Sequence, residues 1–453
     1  MTEPDYLCGV IEGFYGRPWT HEQRLALFGR LGALGMNSYV YGPKDDIKLR
    51  ARWRERYDDA EAARMRELVT ACHGAGLRFV YAIAPGLDIR YGDAGDVERL
   101  VAKVGQLLGL GVHDVALLFD DIPHAMDPDD EAHFGSFARA QAHVAERLFE
   151  QVLARRPDGR RMLCPTDYCG RMADADGWSY LSDLAARLPA DVEVFWTGDE
   201  IVSERIDAAS LERVRSVIGR RPLIWDNLHA NDYDLRRAYL GPVDGRAADM
   251  VGATSGILTN PNGQFELNHV AFTTLAAFAR DAGAYRADAA LDEALAAWRP
   301  RFELDGGELL GADELRLLAE LLYLPWRCGP GVEARLNEAR ALLSEPPAAG
   351  DPRVERLRRF ADDVERLFVR LTELVDRDLL YALYGFVWEA RAESRLLAGY
   401  LAHRAASDEP APRFGRPDPI PNTYRLGFAA AVQALLPLDR DGAIAAPTRN
   451  GPA

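Results

Sequence analysis

What most constrains this chain is an alternation. From the start to about residue 285, short apolar runs rich in β-branched and aromatic residues are followed by longer segments of helical period. The strand candidates are Leu7 to Gly13, Asn37 to Gly42, Arg78 to Ala84, Asp114 to Asp120, Arg161 to Pro165, Val192 to Thr197, Pro222 to Asp226 and Ser255 to Thr259. Helices are expected after most of them, among them Glu22 to Leu34, Ala60 to Ala75, Ala132 to Leu153 and Asn268 to Ala282. Eight β-then-α units predict an α/β fold with a parallel sheet closed into a (β/α)8 barrel, because an open doubly wound sheet typically has fewer strands. No G-x-G-x-x-G loop follows the first run, which weakens a dinucleotide-binding alternative. The seventh unit stands apart: Asn231 to Thr254 has little helical period and reads as a long loop at the active face.

From about Pro300 the strands stop and helix follows helix: Ala312 to Leu322, Gly331 to Leu343, Arg353 to Leu374 and Asp378 to Leu401. This predicts a barrel over residues 1–290 and an all-α domain over residues 291–453, ending in a loop-rich tail. The Pro- and Gly-rich stretch 345–352 reads as a loop inside the second domain, and 407–421 and 444–453 as weakly ordered.

Composition narrows the partners. A net charge of -16 and a pI near 5.1 argue against nucleic acid or an anionic membrane, since both repel such a surface. The first six residues lack the basic and apolar regions of a leader, and no apolar run reaches bilayer length. Five scattered cysteines, Cys8, Cys72, Cys164, Cys169 and Cys328, suit reduced thiols. A soluble, unexported, cytoplasmic protein is expected.

In a barrel of this kind the reactive groups lie where strands end. The polar residues here fall at those ends: Glu12 and Gly13 on the first strand, Lys44-Asp45-Asp46 after the second, Asp120-Asp121 after the fourth, and Thr166-Asp167-Tyr168 after the fifth. The seventh ends in Trp225-Asp226-Asn227 and the eighth in Asn260-Pro261-Asn262. Turns favour Asp, Asn, Gly and Pro anywhere, but carboxylates, one lysine, amides and aromatics converging on one mouth suit a sugar, whose hydroxyls need hydrogen bonds and whose C–H face needs an aromatic ring. Asp226 counts as a candidate contact on this ground.

Asp120 and Asp121 leave the buried run Val115 to Phe119 as adjacent like charges beside an apolar wall, an arrangement expected to raise at least one pKa and supply a proton donor. Their Cα atoms are about 3.8 Å apart, which makes it awkward to set them on opposite faces of one ring, so a nucleophile supplied by the substrate is the more natural arrangement. Metal binding by Asp120, Asp121, His124 and Asp127 is the competing reading. That spacing forms no recognised metal loop, and Asp127 to Glu131 reads as the acidic first turn of a helix, so no metal or cofactor is expected. Lys44 divides evenly between a surface charge and a substrate contact, and His229 reads as a loop histidine.

The stretch Gly9-Val10-Ile11-Glu12-Gly13-Phe14-Tyr15-Gly16-Arg17-Pro18-Trp19 resembles the opening motif of glycoside hydrolase family 84, the O-GlcNAc hydrolases and related β-N-acetylglucosaminidases. The resemblance continues through Tyr41 to Asp46, Ala84 to Asp88, Leu117 to Ile122, Cys164 to Gly170, Trp225 to Asp234 and Leu258 to Asn262. In the helical part, Leu322 to Trp326 and Tyr384 to Glu389 are similar to the stalk domain of the animal enzymes, whose further acetyltransferase-like domain is not expected here. The resemblance implies a retaining hydrolase of terminal β-linked N-acetylglucosamine (GlcNAc), with the substrate's 2-acetamido oxygen attacking C1 to give an oxazoline. By position, Asp120 would orient the acetamido N–H and Asp121 would be the general acid/base. Gly13, Lys44, Asn227, Asp232 and Asn260 would hydrogen-bond the sugar, and Tyr168, Trp225 and Cys164 would form the acetamide pocket. The same resemblance implies a homodimer held by the helical domain, with Leu379, Leu380 and Trp388 divided between core and contact. The loop Arg171 to Trp178 departs from the animal pattern, which puts aglycone preference in doubt. The alternatives are a hyaluronidase-like hydrolase of polymeric glycans and a catalytically silent GlcNAc-binding protein.

Overall fold

The computed structural model describes residues 6–123, 125–345, 347–407, 427–437 and 443–444. His124, Pro346 and most of the two tail segments named above lie outside them.

Each apolar run forms a strand: β1 (Leu7–Glu12), β2 (Ser38–Tyr41), β3 (Arg78–Ile83), β4 (Asp114–Leu118), β5 (Arg161–Cys164), β6 (Glu193–Trp196), β7 (Leu223–Asp226) and β8 (Gly256–Thr259). All are parallel, each pairs with the next, and β8 returns to β1 with Leu7 opposite Gly256 and Val10 opposite Thr259, closing a (β/α)8 barrel. The strands stop one or two residues short of several expected ends, where Gly13, Gly42, Pro165 and the Asp120-Asp121 pair leave the ladder.

The helices between strands begin where side chains satisfy the free N–H groups of the first turn. Thr20 with Gln23, and Asp58 with Glu61, form reciprocal capping boxes at the helices His21–Ala33 and Asp59–Gly74. The single helix expected over 132–153 is two helices, Pro128–Phe134 and Phe137–Arg155. Gly135, at φ 71°, ends the first, and the Ser136 side chain accepts from the Arg139 N–H to start the second. Asp127 caps the first of these, as its acidic turn implied. Between β7 and β8 the only helix is Met250–Ala253, so the seventh connection is largely loop.

By contact the described chain divides into two compact units. The first holds the barrel, drawn from Met1–Asp232, Val243–Phe265 and Ala271–Arg286. The second is drawn from Tyr233–Pro242, Glu266–Val270 and Ala287–Ala453. It is helical, with Ala287–Trp298, Ala312–Leu321, Pro330–Ser344, Pro352–Leu371, Arg377–Ala406 and Phe428–Leu435. Pro352–Leu371 buries Leu357, Phe360, Val364, Leu367 and Leu371 at three- and four-residue spacing, the stripe of an amphipathic helix. Its partner Arg377–Ala406 buries Leu379, Leu380, Leu383 and Val387, and each such side chain removed from water contributes about 1.5–3 kcal/mol. Leu379 and Leu380 therefore serve the unit's own core, whereas Trp388 is 49% exposed. Among the described residues no helix is long and apolar enough to cross a membrane.

Candidate active site

At the C-terminal end of β4 the chain turns sharply. Asp120 is buried, and Asp121 has φ 51°, a left-handed conformation that costs a non-glycine residue about 1–2 kcal/mol. The turn gives the two carboxylates different surroundings despite their adjacency. Asp120 Oδ2 accepts from Lys44 Nζ, which follows β2 and whose side chain is 2% exposed. Asp120 Oδ1 is buried and has no hydrogen-bond partner. Asp121, on the open side, accepts from two phenols: Tyr15 OH to Oδ2 at 2.8 Å and Tyr168 OH to Oδ1 at 2.9 Å. The apolar wall expected beside the pair is thus replaced by an ammonium for one carboxylate and two phenols for the other.

Lys44 Nζ also lies 5.4 Å from the centroid of Trp225 and 6.0 Å from that of Tyr15, within reach of both ring faces. Trp225, one residue before the end of β7, lies beside Gly13, where a Cβ would fall 2.3 Å from Trp225 Cζ2. Glycine is required there because the indole lies against the β1 backbone. Cys164, at the end of β5, is buried, and burial, reinforced by the Asp120 charge, pushes its thiol well up, so it stays protonated. Tyr168 is likewise held neutral, by burial first and then by the Asp121 charge. Burial also raises the Tyr15 phenol, so both phenols keep their protons and donate to the Asp121 carboxylate in this arrangement.

A chain of amides continues the rim. Asn227 Nδ2 donates to Ile201 O at 2.7 Å, which turns its Oδ1 toward Asn260 Nδ2 at 3.0 Å. Asn260 Oδ1 is left buried without a partner, a second acceptor open to a ligand. Asp232 accepts the Tyr15 N–H at 2.8 Å, and burial pushes its carboxyl above the ordinary range.

The structure thus brings Asp120, Asp121, Gly13, Lys44, Cys164, Tyr168 and Trp225 into one linked network, with Asn227, Asn260 and Asp232 placed beside it. Asp226 differs from expectation. Both of its oxygens are held by the buried guanidinium of Arg246, at 2.5 and 2.9 Å. Glu12, the other strand-end carboxylate, is fully buried against Arg24 at 2.6 and 2.8 Å. His229 lies in the turn after β7, as expected of a loop histidine, and is buried.

Two site residues were not singled out by sequence. Tyr15 lies within the opening motif, and its place two residues past Gly13 was the available signal. Arg50 gave none, since it sits among the arginines of a polar stretch. It donates to Tyr15 OH at 2.5 Å and to the Asp121 carbonyl at 2.9 Å. Among the described residues no group of three or more His, Cys, Asp or Glu side chains is placed to hold a metal ion.

A (β/α)8 barrel with two distinct carboxylates, a buried lysine, aromatic faces and an open amide acceptor at its mouth has the make-up of a glycoside hydrolase. The profile of one such family, described as beta-N-acetylglucosaminidase, matches residues 8–305. The chain belongs to this family, glycoside hydrolase family 84. It is 44% identical over 273 residues to the Protein O-GlcNAcase of Mus musculus, and equally to that of Rattus norvegicus. These matches cover 60% of this chain and 30% of each relative, so the chain matches less than a third of their length. A solved structure of a point variant of Thermobaculum terrenum O-GlcNAc hydrolase superposes with a TM-score of 0.74 at 24% identity, covering 88% of this chain and 87% of that one. That likeness is one of fold.

Proposed function

We propose that this chain hydrolyses terminal β-linked GlcNAc, with O-GlcNAc-type conjugates as its substrate class, by substrate-assisted catalysis with retention. The observation that carries this reading is the unpartnered, buried Oδ1 of Asp120, whose other oxygen is held by Lys44. An ionised carboxylate fixed in this way is an acceptor waiting for a donor, and a 2-acetamido N–H supplies one.

In the first step the acetamido carbonyl oxygen attacks C1 as the glycosidic C1–O bond breaks. Asp121 gives its proton to the departing oxygen, and Asp120 accepts the hydrogen bond of the N–H as positive charge develops there. In the second, water attacks C1, the C1–O bond of the oxazoline breaks, and Asp121 takes the water's proton. Trp225, Tyr168 and Cys164 enclose the acetamide, and Lys44, Asn227, Asp232 and Asn260 hold the sugar's hydroxyls.

Turnover of an aryl N-acetyl-β-glucosaminide together with an O-GlcNAc peptide, and not of hyaluronan, is the expected result. Cleavage of hyaluronan alone would place the chain among polymer hydrolases, and no turnover of any would leave a sugar-binding protein.

The helical unit is the proposed site of homodimerisation. Tyr384 and Trp388, stacked at 6.0 Å, and Tyr381 leave an exposed aromatic face on the helix Arg377–Ala406. A monomer mass by light scattering at micromolar concentration would count against it. Five buried free thiols accord with the reducing cytoplasm, the proposed location.

A further inference from the structure

Arg50 is 8% exposed, and its guanidinium forms no ion pair among the described residues. Burying an unpaired charge is costly, so its position calls for a reason. The residue before it is held through both of its backbone groups. Leu49 N–H donates to Asp46 O at 3.0 Å, and Leu49 O accepts from the Ala84 N–H at 3.1 Å, just past β3. From there Arg50 makes two contacts, one to each half of the general acid's support. Nη2 holds the carbonyl of Asp121, the residue in the left-handed conformation, and Nη1 holds the oxygen of Tyr15.

The second contact fixes a direction. A guanidinium only donates, so the Tyr15 oxygen is the acceptor there, and its one proton is left for Asp121 Oδ2. Reversal on protonation of Asp121 would leave the Tyr15 proton without the acceptor it has in Oδ2, so Tyr15 is held as a donor. Tyr168 carries no such constraint, because its hydroxyl has Asp121 Oδ1 as its one hydrogen-bond partner among the described residues. The two phenols are inequivalent, although both touch the same carboxylate.

Resting on the functional reading above, we propose that Arg50 is a positioning residue for proton transfer: it holds the turn that aims Asp121 and locks Tyr15 as a donor to Oδ2. The transferable proton of Asp121 then resides on Oδ1, with Tyr168 accepting it until the leaving oxygen arrives. The side-chain hydrogen bonds of Arg50 go to Tyr15 and Asp121 and to none of the residues assigned to the sugar or its acetamide, so its expected effect is on protonation of the leaving group and not on binding of the glycone.

The test is a series of aryl N-acetyl-β-glucosaminides of graded leaving-group ability, run on the wild type, Arg50→Met, Arg50→Lys and Tyr15→Phe. Arg50→Met is expected to lower kcat/KM about tenfold or more for the poorest leaving phenols and less than about twofold for a dinitrophenol, since general acid catalysis matters only where protonation is needed. KM and the affinity for a bicyclic thiazoline inhibitor should stay within about twofold, and Arg50→Lys, which keeps one donor, should recover part of the loss. Should Arg50→Met fail to fold, Tyr15→Phe removes only the phenol oxygen and should show the same selectivity. Equal losses across the series, or weakening of the thiazoline in parallel, would overturn the assignment. A wild type inactive on every aryl glycoside would instead overturn the functional reading beneath it.

Discussion

Lys44 and Asp120 form a buried ion pair that uses one carboxylate oxygen and leaves the other without a partner. Removing one member of such a pair leaves a buried charge uncompensated, which costs about 3–5 kcal/mol. Lys44→Met is therefore expected to lower unfolding free energy at neutral pH by about 3 kcal/mol. Adding Asp120→Leu should restore part of that loss, because the two effects are coupled. Denaturant unfolding of the two single variants and the double variant measures this, and simple additivity would show that the pair contributes nothing as a pair.

Asp121→Asn keeps the shape of the side chain and removes the transferable proton. Turnover of glycosides with poor leaving groups should fall by about a hundredfold or more, while that of activated aryl glycosides falls far less. A flat loss across leaving groups would remove Asp121 from the acid/base role.

The barrel was legible because its strands are apolar on both faces and its helices carry a 3.6-residue stripe, so the two periods alternate visibly along the chain. The Gly135 break was not, since one glycine inside an otherwise helical run carries little signal until its φ is known. In the site, strand-end position found Asp120, Lys44 and Trp225, all of which face the mouth network. The same rule offered Asp226, whose oxygens are taken up by Arg246: that partner is twenty residues away, in a stretch without periodicity, and a long-range ion pair leaves no local trace. Arg50 escaped for the same reason, since both of its contacts are long-range.

Burial raises the Asp232 carboxyl, with the Tyr15 N–H opposing the shift only in part. The sign follows: a carboxyl raised in the native state binds its proton more tightly there than in the unfolded chain, so stability is lost as pH climbs through the native value. Asp232→Asn, which keeps an acceptor for Tyr15, should raise Tm at pH 7, with the gain fading toward about pH 4, where an Asp of the unfolded chain is about half protonated. Activity should fall at the same time, because a charged acceptor for a sugar hydroxyl is gone. A lower Tm at pH 7 would contradict the sign.

Lys103 is a second buried charge, outside the mouth network. Its ammonium donates to Glu55 O at 2.6 Å and lies 3.6 Å from the Tyr57 ring centroid, and burial lowers its pKa to about 8. Between about pH 8 and about 10.4 the unfolded chain holds this proton while the native state has released it, so the Lys103 contribution to stability rises with pH across that window. Lys103→Met should lack the rise. The difference in unfolding free energy, wild type minus variant, is expected to grow from pH 8 to pH 10, and a constant difference would mean that the amine is charged in both states throughout.

The mechanism itself turns on which atom attacks C1. If it is the acetamido oxygen, each fluorine placed on the acetamide methyl withdraws electron density from that oxygen, and the rate should fall steeply from none to three fluorines. Asp120→Ala should slow both formation and opening of the oxazoline, since the free Oδ1 is then absent when charge develops on the nitrogen. A thiazoline that copies the bicyclic shape should bind the wild type far more tightly than GlcNAc and lose most of that advantage in Asp120→Ala. A double-displacement enzyme would behave otherwise: a weak response to fluorine and a covalent glycosyl-aspartate that can be trapped. Detection of that adduct on Asp120 by mass spectrometry would replace the substrate's nucleophile with the protein's own, and the buried pairing with Lys44 would then be read as preparing Asp120 for attack instead of for accepting a hydrogen bond.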